Sequence, residues 1–393
     1  MKVGILMNKF ENPQSRIGSN CTKWDRYVSR YNIDDVIALW VADMDFECPD
    51  AVSEAIIKRA KHPIYGYTDP SQDCIEAIIN WEKRHHNIDV KKEEIVFTTG
   101  VVYAIYTAIE TFLEKDDKVM VMTPVYPPFF NIPTTLNREV VYNPLLEDGN
   151  MNLEMMEEAL KNDSKIKMLI FCNPHNPIGK SWSKDELEAM LEIATKYNLL
   201  IVSDEIHADL CFKKHISMLG ANEKYNDSIL LFGAPTKTFN LAGMKISYAL
   251  IPNKELCTKF AASAKASGLS SINIFGFEAC TAAYNHGEEW LENCLNYIYE
   301  NMKWLKEFLN ENLPKCKFEI PEATYLAWVD FSDYHLPDNF AEILKFEGHV
   351  ELQDGRGFKD SDGYQRINCA CPRSTLVEGM TRVVKCMKDK GWI

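Results

Sequence analysis

The sequence predicts an α/β protein with a large domain on a seven-stranded, mostly parallel sheet and a smaller α+β domain. Its 393 residues, 46% hydrophobic and 25% charged, can bury a sizeable core and exceed one ordinary compact domain. From about residue 93, short β-rich runs alternate with longer helical patterns, the signature of a parallel sheet covered by helices. After about residue 285 that alternation stops. A long helix, Trp290 to Asn310, is followed by a Pro-marked strand, Tyr325 to Phe331, and a Gly-rich stretch, Gly348 to Gly363.

The expected sheet strands, in order, are Ile95 to Thr98, Lys118 to Met122, Glu139 to Tyr142, Lys167 to Cys172, Leu199 to Ser203, Ile229 to Phe232 and Ile246 to Ile251. Between them lie helical patterns. The apolar run Tyr103 to Leu113 is one. Another opens on Ser183 and Glu186, a capping box ahead of Leu187, Met190, Leu191 and Ala194. The expected domains are a large domain over 46–284 and a small one over 285–393, the latter joined by an N-terminal segment, 1–45.

Composition narrows the function. No apolar run approaches the ~18 to 20 residues of a membrane span, and the first 30 residues mix Lys, Glu, Arg and Asp. A soluble, cytoplasmic protein with no membrane partner is expected. The twelve cysteines form no CxxC pair and sit in apolar stretches, which suits reduced core thiols. Cys369 and Cys371 flank Ala370 without a companion His or Cys motif, so no metal site is expected. A net charge of -14 disfavours nucleic acid, because phosphate backbones need a basic face. A small-molecule ligand remains.

In an open α/β sheet, ligands bind beyond the carboxyl ends of the strands, so the residues that follow each strand matter most. Thr99-Gly100-Val101-Val102 runs from a strand into a helix, where free backbone N–H groups and the helix dipole can attract an anion. A plain tight turn reads the same way. Thr123-Pro124-Val125-Tyr126-Pro127-Pro128 stiffens a loop around one ring, which either stacks on a flat ligand or packs beneath its own loop. Asn173-Pro174-His175-Asn176-Pro177-Ile178-Gly179 is a polar loop whose Asn176 can donate to a ligand oxygen. Asp204 and Glu205 directly follow the next strand and should point to opposite sides. A buried Asp204 requires either a cationic partner, such as a pyridinium nitrogen, or the N-terminus of a helix to cap. Lys237 follows a core strand among Thr236, Thr238 and Asn240. An apolar setting disfavours its charged form and sharpens its amine as a nucleophile towards an aldehyde.

The ordered combination Asn-Pro-His-Asn-Pro-x-Gly, Ser-Asp-Glu-Ile-His and a Lys between small hydroxyl residues resembles the fold-type I pyridoxal 5'-phosphate (PLP) enzymes of the class I/II aminotransferase superfamily. Trp40-Val41-Ala42-Asp43-Met44-Asp45-Phe46, Tyr65-Gly66-Tyr67, Ala234-Pro235-Thr236-Lys237-Thr238-Phe239-Asn240 and Asn368-Cys369-Ala370-Cys371-Pro372-Arg373 resemble its MalY/PatB branch, the cystathionine β-lyase or C–S lyase type. The resemblance runs from about residue 16 to residue 380. It implies PLP as cofactor, with Lys237 as its Schiff-base lysine, Asp204 against the pyridine nitrogen, Asn176 on the phenolic oxygen and Tyr126 on the ring. It implies Gly100, Val101, Val102, Thr236 and Lys245 on the phosphate. Tyr67 would reach the neighbouring subunit's phosphate in a homodimer with shared active sites. Arg366 would grip the substrate's α-carboxylate with a bidentate fork, and Ala42 and Tyr65 would line the substrate pocket.

Two positions depart from the wider pattern. His207 stands where aminotransferases usually place a tyrosine, and Lys245 where many relatives have an arginine, so a point charge replaces a fork. Arg373 either faces the substrate or makes a surface or interdomain salt bridge. The activity implied is PLP-dependent cleavage of L-cystathionine or related cysteine S-conjugates to a thiol, pyruvate and ammonia. A PLP-dependent aminotransferase needs the same residues. A regulatory binding protein on this scaffold is the remaining alternative, against which the intact set of Lys237, Asp204, Asn176 and Arg366 stands.

Overall fold

The computed structural model describes residues 9–12, 14–268 and 270–393. Residues 1–8 of the expected N-terminal segment lie outside that range. The chain divides into two compact units. One holds the described residues up to Glu47 with Pro177–Gly179 and Glu292–Ile393; the other holds Cys48–Asn176 and Lys180–Leu291. The last of these boundaries therefore falls inside the long helix Glu288–Asn312.

In the terminal unit, β1 (Ile37–Ala38) pairs in parallel with β10 (Val350–Glu351). The larger unit carries β2 (Ile95–Thr98), β3 (Lys118–Val121), β4 (Glu139–Tyr142), β5 (Ile166–Cys172), β6 (Leu200–Asp204), β7 (Ile229–Gly233) and β8 (Ser247–Leu250). These seven form one sheet in the order β2-β8-β7-β6-β5-β3-β4. Neighbours are parallel except around β8, which runs antiparallel to both β2 and β7. The expected α/β class and mostly parallel sheet are thus what the chain forms. Strand ends differ from the sequence reading by no more than a residue.

Burial explains why these runs are strands. β7 is buried at every position, and β5 at every position but Lys167, as a sheet covered on both faces requires. One face is covered by helices Val101–Phe112 and Lys254–Ala266. Val101, Ala104, Ile105, Ala108 and Ile109 recur at helical spacing and pack with Val119, Val121, Ile170, Val202, Leu230 and Phe232. The first of these helices begins at Val101, not at Tyr103 as the apolar pattern suggested. Two β-branched valines after a strand look like more strand, but Gly100 ends the extended run and Ala104 N–H already bonds to its carbonyl at 3.0 Å.

The terminal unit also contains β9 (Leu326–Asp330), β11 (Gln353–Asp354) and β12 (Tyr364–Asn368), an antiparallel sheet of order β11-β12-β9. β12 is central, so Arg366 sits opposite Trp328 on one side and Gln353 on the other. The Gly-rich stretch is therefore not plain loop, since it supplies β10 and β11 and a short turn, Gly355–Phe358. Among the described residues, no helix is long and apolar enough to cross a membrane.

Candidate active site

In the larger unit the site residues gather at one edge of the sheet because of strand direction. The carboxyl ends of β2, β3, β5, β6 and β7 deliver Gly100 to Val102, Tyr126, Asn176, Asp204, and Thr236 with Lys237. β8 is reversed, so its start lies at that same edge: Ser247 pairs with Thr98 and Tyr248 with Gly233. Lys245, just before β8, is thereby brought to the edge and is exposed.

Gly100 precedes the helix without a side-chain cap, which leaves the first-turn N–H groups of Val101, Val102 and Tyr103 without helical acceptors. A Cβ added at Gly100 would meet only Tyr103 Cδ2, at 3.5 Å, so there is room beside this glycine at the start of the helix. Tyr126 is half-buried, its ring centroid 6.2 Å from that of Phe129. Its loop is tied to the one bearing Asn176: His175, held neutral by burial that pushes its pKa down to about 4, donates from Nε2 to the Pro124 carbonyl at 2.8 Å. Asn176 is 4% exposed.

Asp204 and Glu205 part company as adjacent strand residues should. Glu205 is consumed structurally, accepting from His215 Nε2 at 3.0 Å, Ser203 Oγ at 3.0 Å and Met218 N–H at 2.8 Å. Asp204 caps no helix; its Oδ1 accepts from Ile206 N–H at 3.0 Å in a tight turn. Burial pushes the Asp204 carboxyl up to about 7, although the Ile206 amide and the charge of Lys237 pull the other way. His207 is buried close by in sequence, its carbonyl accepting from Leu210 N–H at 2.9 Å. Lys237 is half-buried in a one-turn helix, Pro235–Thr238, beside buried Thr236. Tyr65 and Tyr67 lie on a segment without regular structure and are well exposed.

A flat, anionic pyridine aldehyde fits this edge. First-turn amides without helical acceptors, beside an uncrowded glycine, suit its phosphate, and a buried acid that resists ionisation calls for a cationic ring nitrogen. A half-buried lysine close enough to act on that acid suits its aldehyde.

The terminal unit brings Ala42 and Arg366 onto neighbouring segments. Arg366 is 4% exposed, with its guanidinium 4.9 Å from the Phe358 ring and one Nη donating to the Trp40 carbonyl at 3.2 Å. Asn368 Nδ2 donates to the carbonyls of Val41 and Asp43, each at 2.6 Å, and the Tyr325 hydroxyl donates to that of Ala42 at 2.9 Å. Behind this loop, fully buried Lys23 meets Asp45 at 2.7 Å, and Arg16 bridges Asp43 and Asp45 at 2.8 and 2.9 Å. Arg373 is structural: its Nε donates to Asn301 Oδ1 at 2.7 Å, and its N–H to the Tyr297 hydroxyl at 2.8 Å.

Sequence reasoning missed Lys23, Arg16, Asn368 and, in the larger unit, Asp209 with His86. Asp209 left one clue, a third acid in the segment that begins at Asp204.

The family model for aminotransferase class I and II matches residues 34–383. Cystathionine beta-lyase PatB of Bacillus subtilis is 37% identical over 95% of this chain and 98% of its own length. Among solved structures, cystalysin from Treponema denticola, which contains a pyridoxal 5'-phosphate cofactor, matches with a TM-score of 0.93 at 33% identity. That match covers 97% of this chain and 99% of the other. The PLP-bound C-S lyase from Staphylococcus hominis gives 0.90 at 31% identity, over 96% and 97%. This chain belongs to the class I and II aminotransferase family.

Proposed function

We propose that this chain is a PLP-dependent carbon–sulfur β-lyase that cleaves L-cystathionine or a related cysteine S-conjugate to a thiol, pyruvate and ammonia. The observation that carries it is the buried, ionisation-resistant Asp204 within electrostatic reach of Lys237 at the carboxyl edge of the sheet. The relatives named cystathionine beta-lyase and C-S lyase direct that chemistry to the carbon–sulfur bond.

Bound PLP supplies an electron sink for the charge left when a bond at the substrate's α-carbon breaks. Lys237 would hold the cofactor through its aldehyde, and its amine is the group placed to take the α-proton as general base. Asp204 holds the proton on the ring nitrogen. Asn176 orients the phenolic oxygen, with His207 near it, and Tyr126 packs on the ring. Gly100, Val101, Val102, Thr236 and Lys245 hold the phosphate. Arg366 holds the substrate's α-carboxylate, with Ala42 and Tyr65 beside the side-chain pocket.

A homodimer completes the site in this reading. The stretch 61–69 is exposed throughout and carries Ile64, Tyr65 and Tyr67, the last fully exposed, as a segment awaiting a second copy would be. The protein works in the cytoplasm, where its free thiols stay reduced.

Transamination is the second reading, favoured by the family description itself. Cystathionine, other cysteine S-conjugates and amino donors, assayed side by side, decide between them. Pyruvate and thiol released without any keto acid support the lyase; strict dependence on 2-oxoglutarate or another keto acid supports the transaminase. A protein that binds PLP yet turns over neither class would be a binding protein instead.

A further inference from the structure

Beyond Asp204 and Glu205 the same segment carries a third acid, Asp209, which none of the roles above uses. Its side chain is 6% exposed. Oδ1 accepts from Trp81 Nε1 at 2.9 Å and lies 2.9 Å from His86 Nε2, while Oδ2 accepts from the Thr238 hydroxyl at 2.7 Å. All three donors belong to the larger unit, and Thr238 is the residue after Lys237.

A carboxylate this deep persists only if paired and fully hydrogen-bonded. Burial opposes charge on His86, but Asp209 and Glu82 outweigh it and lift the imidazole to about 9, which favours its charged form beside the carboxylate. Burial opposes charge on Asp209 too, yet His86, Thr238 and Trp81 hold it below the usual carboxylate range. The pair sits on an aromatic platform. Trp81 stacks on Tyr284 at 4.9 Å and meets the edge of Phe239, the residue after Thr238, at 5.6 Å.

The turn that bears Lys237 is only four residues long. Such a helix has almost no ladder of its own; its closing bonds are Phe239 N–H to Pro235 O at 3.0 Å and Leu241 N–H to Thr236 O at 2.9 Å. Its rotation must be set from outside, and Thr238 and Phe239 both seat on the same buried platform while Lys237 stays half-buried.

We propose that Asp209, acting through the hydroxyl of Thr238, is a positioning residue for Lys237: it fixes the rotation of the turn and so the direction from which the amine meets cofactor and substrate. His86 is the counter-charge that keeps Asp209 in that role. The inference rests on the reading of Lys237 given above, as the residue that binds the cofactor and takes the α-proton.

The test compares holoenzymes carrying Thr238→Val, Thr238→Ser, Asp209→Asn, the Thr238→Val/Asp209→Asn double substitution and, as a reference, Lys237→Ala. Thr238→Val keeps the volume and removes the donor. It should lower kcat about 10- to 100-fold with KM little changed, as small misplacements of a reacting group do. It should also shift the pH midpoint of the visible band of the lysine-bound cofactor and slow recapture of PLP by the cofactor-free protein. Thr238→Ser should restore all three. The double substitution should be no worse than Asp209→Asn alone, because both remove one contact.

A Thr238→Val protein with a lower Tm but parental kcat, band midpoint and recapture rate would overturn the positioning role alone, provided Lys237→Ala is inactive. A Lys237→Ala protein that kept its band and turnover would overturn the positioning role together with the reading of Lys237. If Asp209→Asn fails to fold, the Val and Ser variants at position 238 carry the test by themselves.

Discussion

Lys237 acts on Asp204 as a positive charge, partly offsetting the burial that pushes this carboxyl up to about 7. In the cofactor-free protein the acid is a liability. It ionises in the unfolded chain from about pH 4 upward, but in the folded one only near pH 7. Stability is therefore unaffected by this group below pH 4, falls as pH rises to 7, and stays reduced above it. Asp204→Asn should make the cofactor-free protein more stable than the parent by a few kcal/mol at pH 8, and by clearly less at pH 5. Urea unfolding at the two pH values measures this, and equal gains at both would show that no burial penalty exists. The same substitution should lower kcat of the loaded enzyme at least about 100-fold, since an amide cannot hold the ring nitrogen's charge.

Lys237→Ala should abolish the visible band of the lysine-bound cofactor and lower turnover by orders of magnitude, because the linkage and the base are lost together. Absorbance spectroscopy and steady-state assays on one preparation read both.

Arg366 is buried against Phe358 and the Trp40 carbonyl, so its planar fork is already oriented. Arg366→Ala should raise KM for the amino acid by about 100-fold, the loss of a charge-assisted pair, with a smaller effect on kcat. Arg366→Lys should recover only part of that affinity, since a point charge cannot reproduce two parallel bonds. Unchanged KM in the Ala variant would remove Arg366 from carboxylate binding.

Lys23 is fully buried against Asp45 behind the loop that carries Ala42. Lys23→Met should destabilise the protein by ~3 kcal/mol, as breaking a buried pair from one side does. Arg16 still holds Asp43 and Asp45, so the protein should fold, with a raised KM from a looser loop. Denaturant melts and KM measured together check both halves.

Ile64, Tyr65 and Tyr67 offer an exposed apolar stretch. Ile64→Asp should shift the protein from dimer to monomer in sedimentation and remove activity at low protein concentration. A wild-type monomer that is fully active would end the shared-site reading.

The sheet was legible in the sequence because its signals are local. Each strand is a short, mostly apolar run, and most of the candidate site residues come directly after strand ends, where chain direction alone brings them to one edge. The capping box of Ser183 and Glu186 is equally local, and it forms as read, with Ser183 Oγ accepting from Glu186 N–H. What escaped was set by partners remote in sequence. His86 and Asp209 are 123 positions apart, and nothing near either residue announces the other. Lys23 looks like any solvated lysine until Asp43 and Asp45 fold over it. β10 and β11 have two residues each and exist only because β1 and β12 are there to pair with. Asp204 resembled a helix cap because the following residues are compatible with helix, but they form turns.

The reversal of β8 has a consequence for how this protein can change. The segment Ala234–Ile246 leaves β7 and returns as β8 to the same edge, carrying Lys237 near its beginning and Lys245 near its end. β8 is clamped between two partners and buried at every position, so a one-residue slip would swap its faces and place Tyr248 where Ser247 meets Thr98. An insertion or deletion between the two lysines cannot be absorbed by the strand; it must be taken up in the exposed bend at Ala242 and Gly243. The segment sets the spacing between the lysine proposed to tether the cofactor and the lysine proposed to meet its phosphate, and lineages of this enzyme should vary in its residues far more readily than in its length.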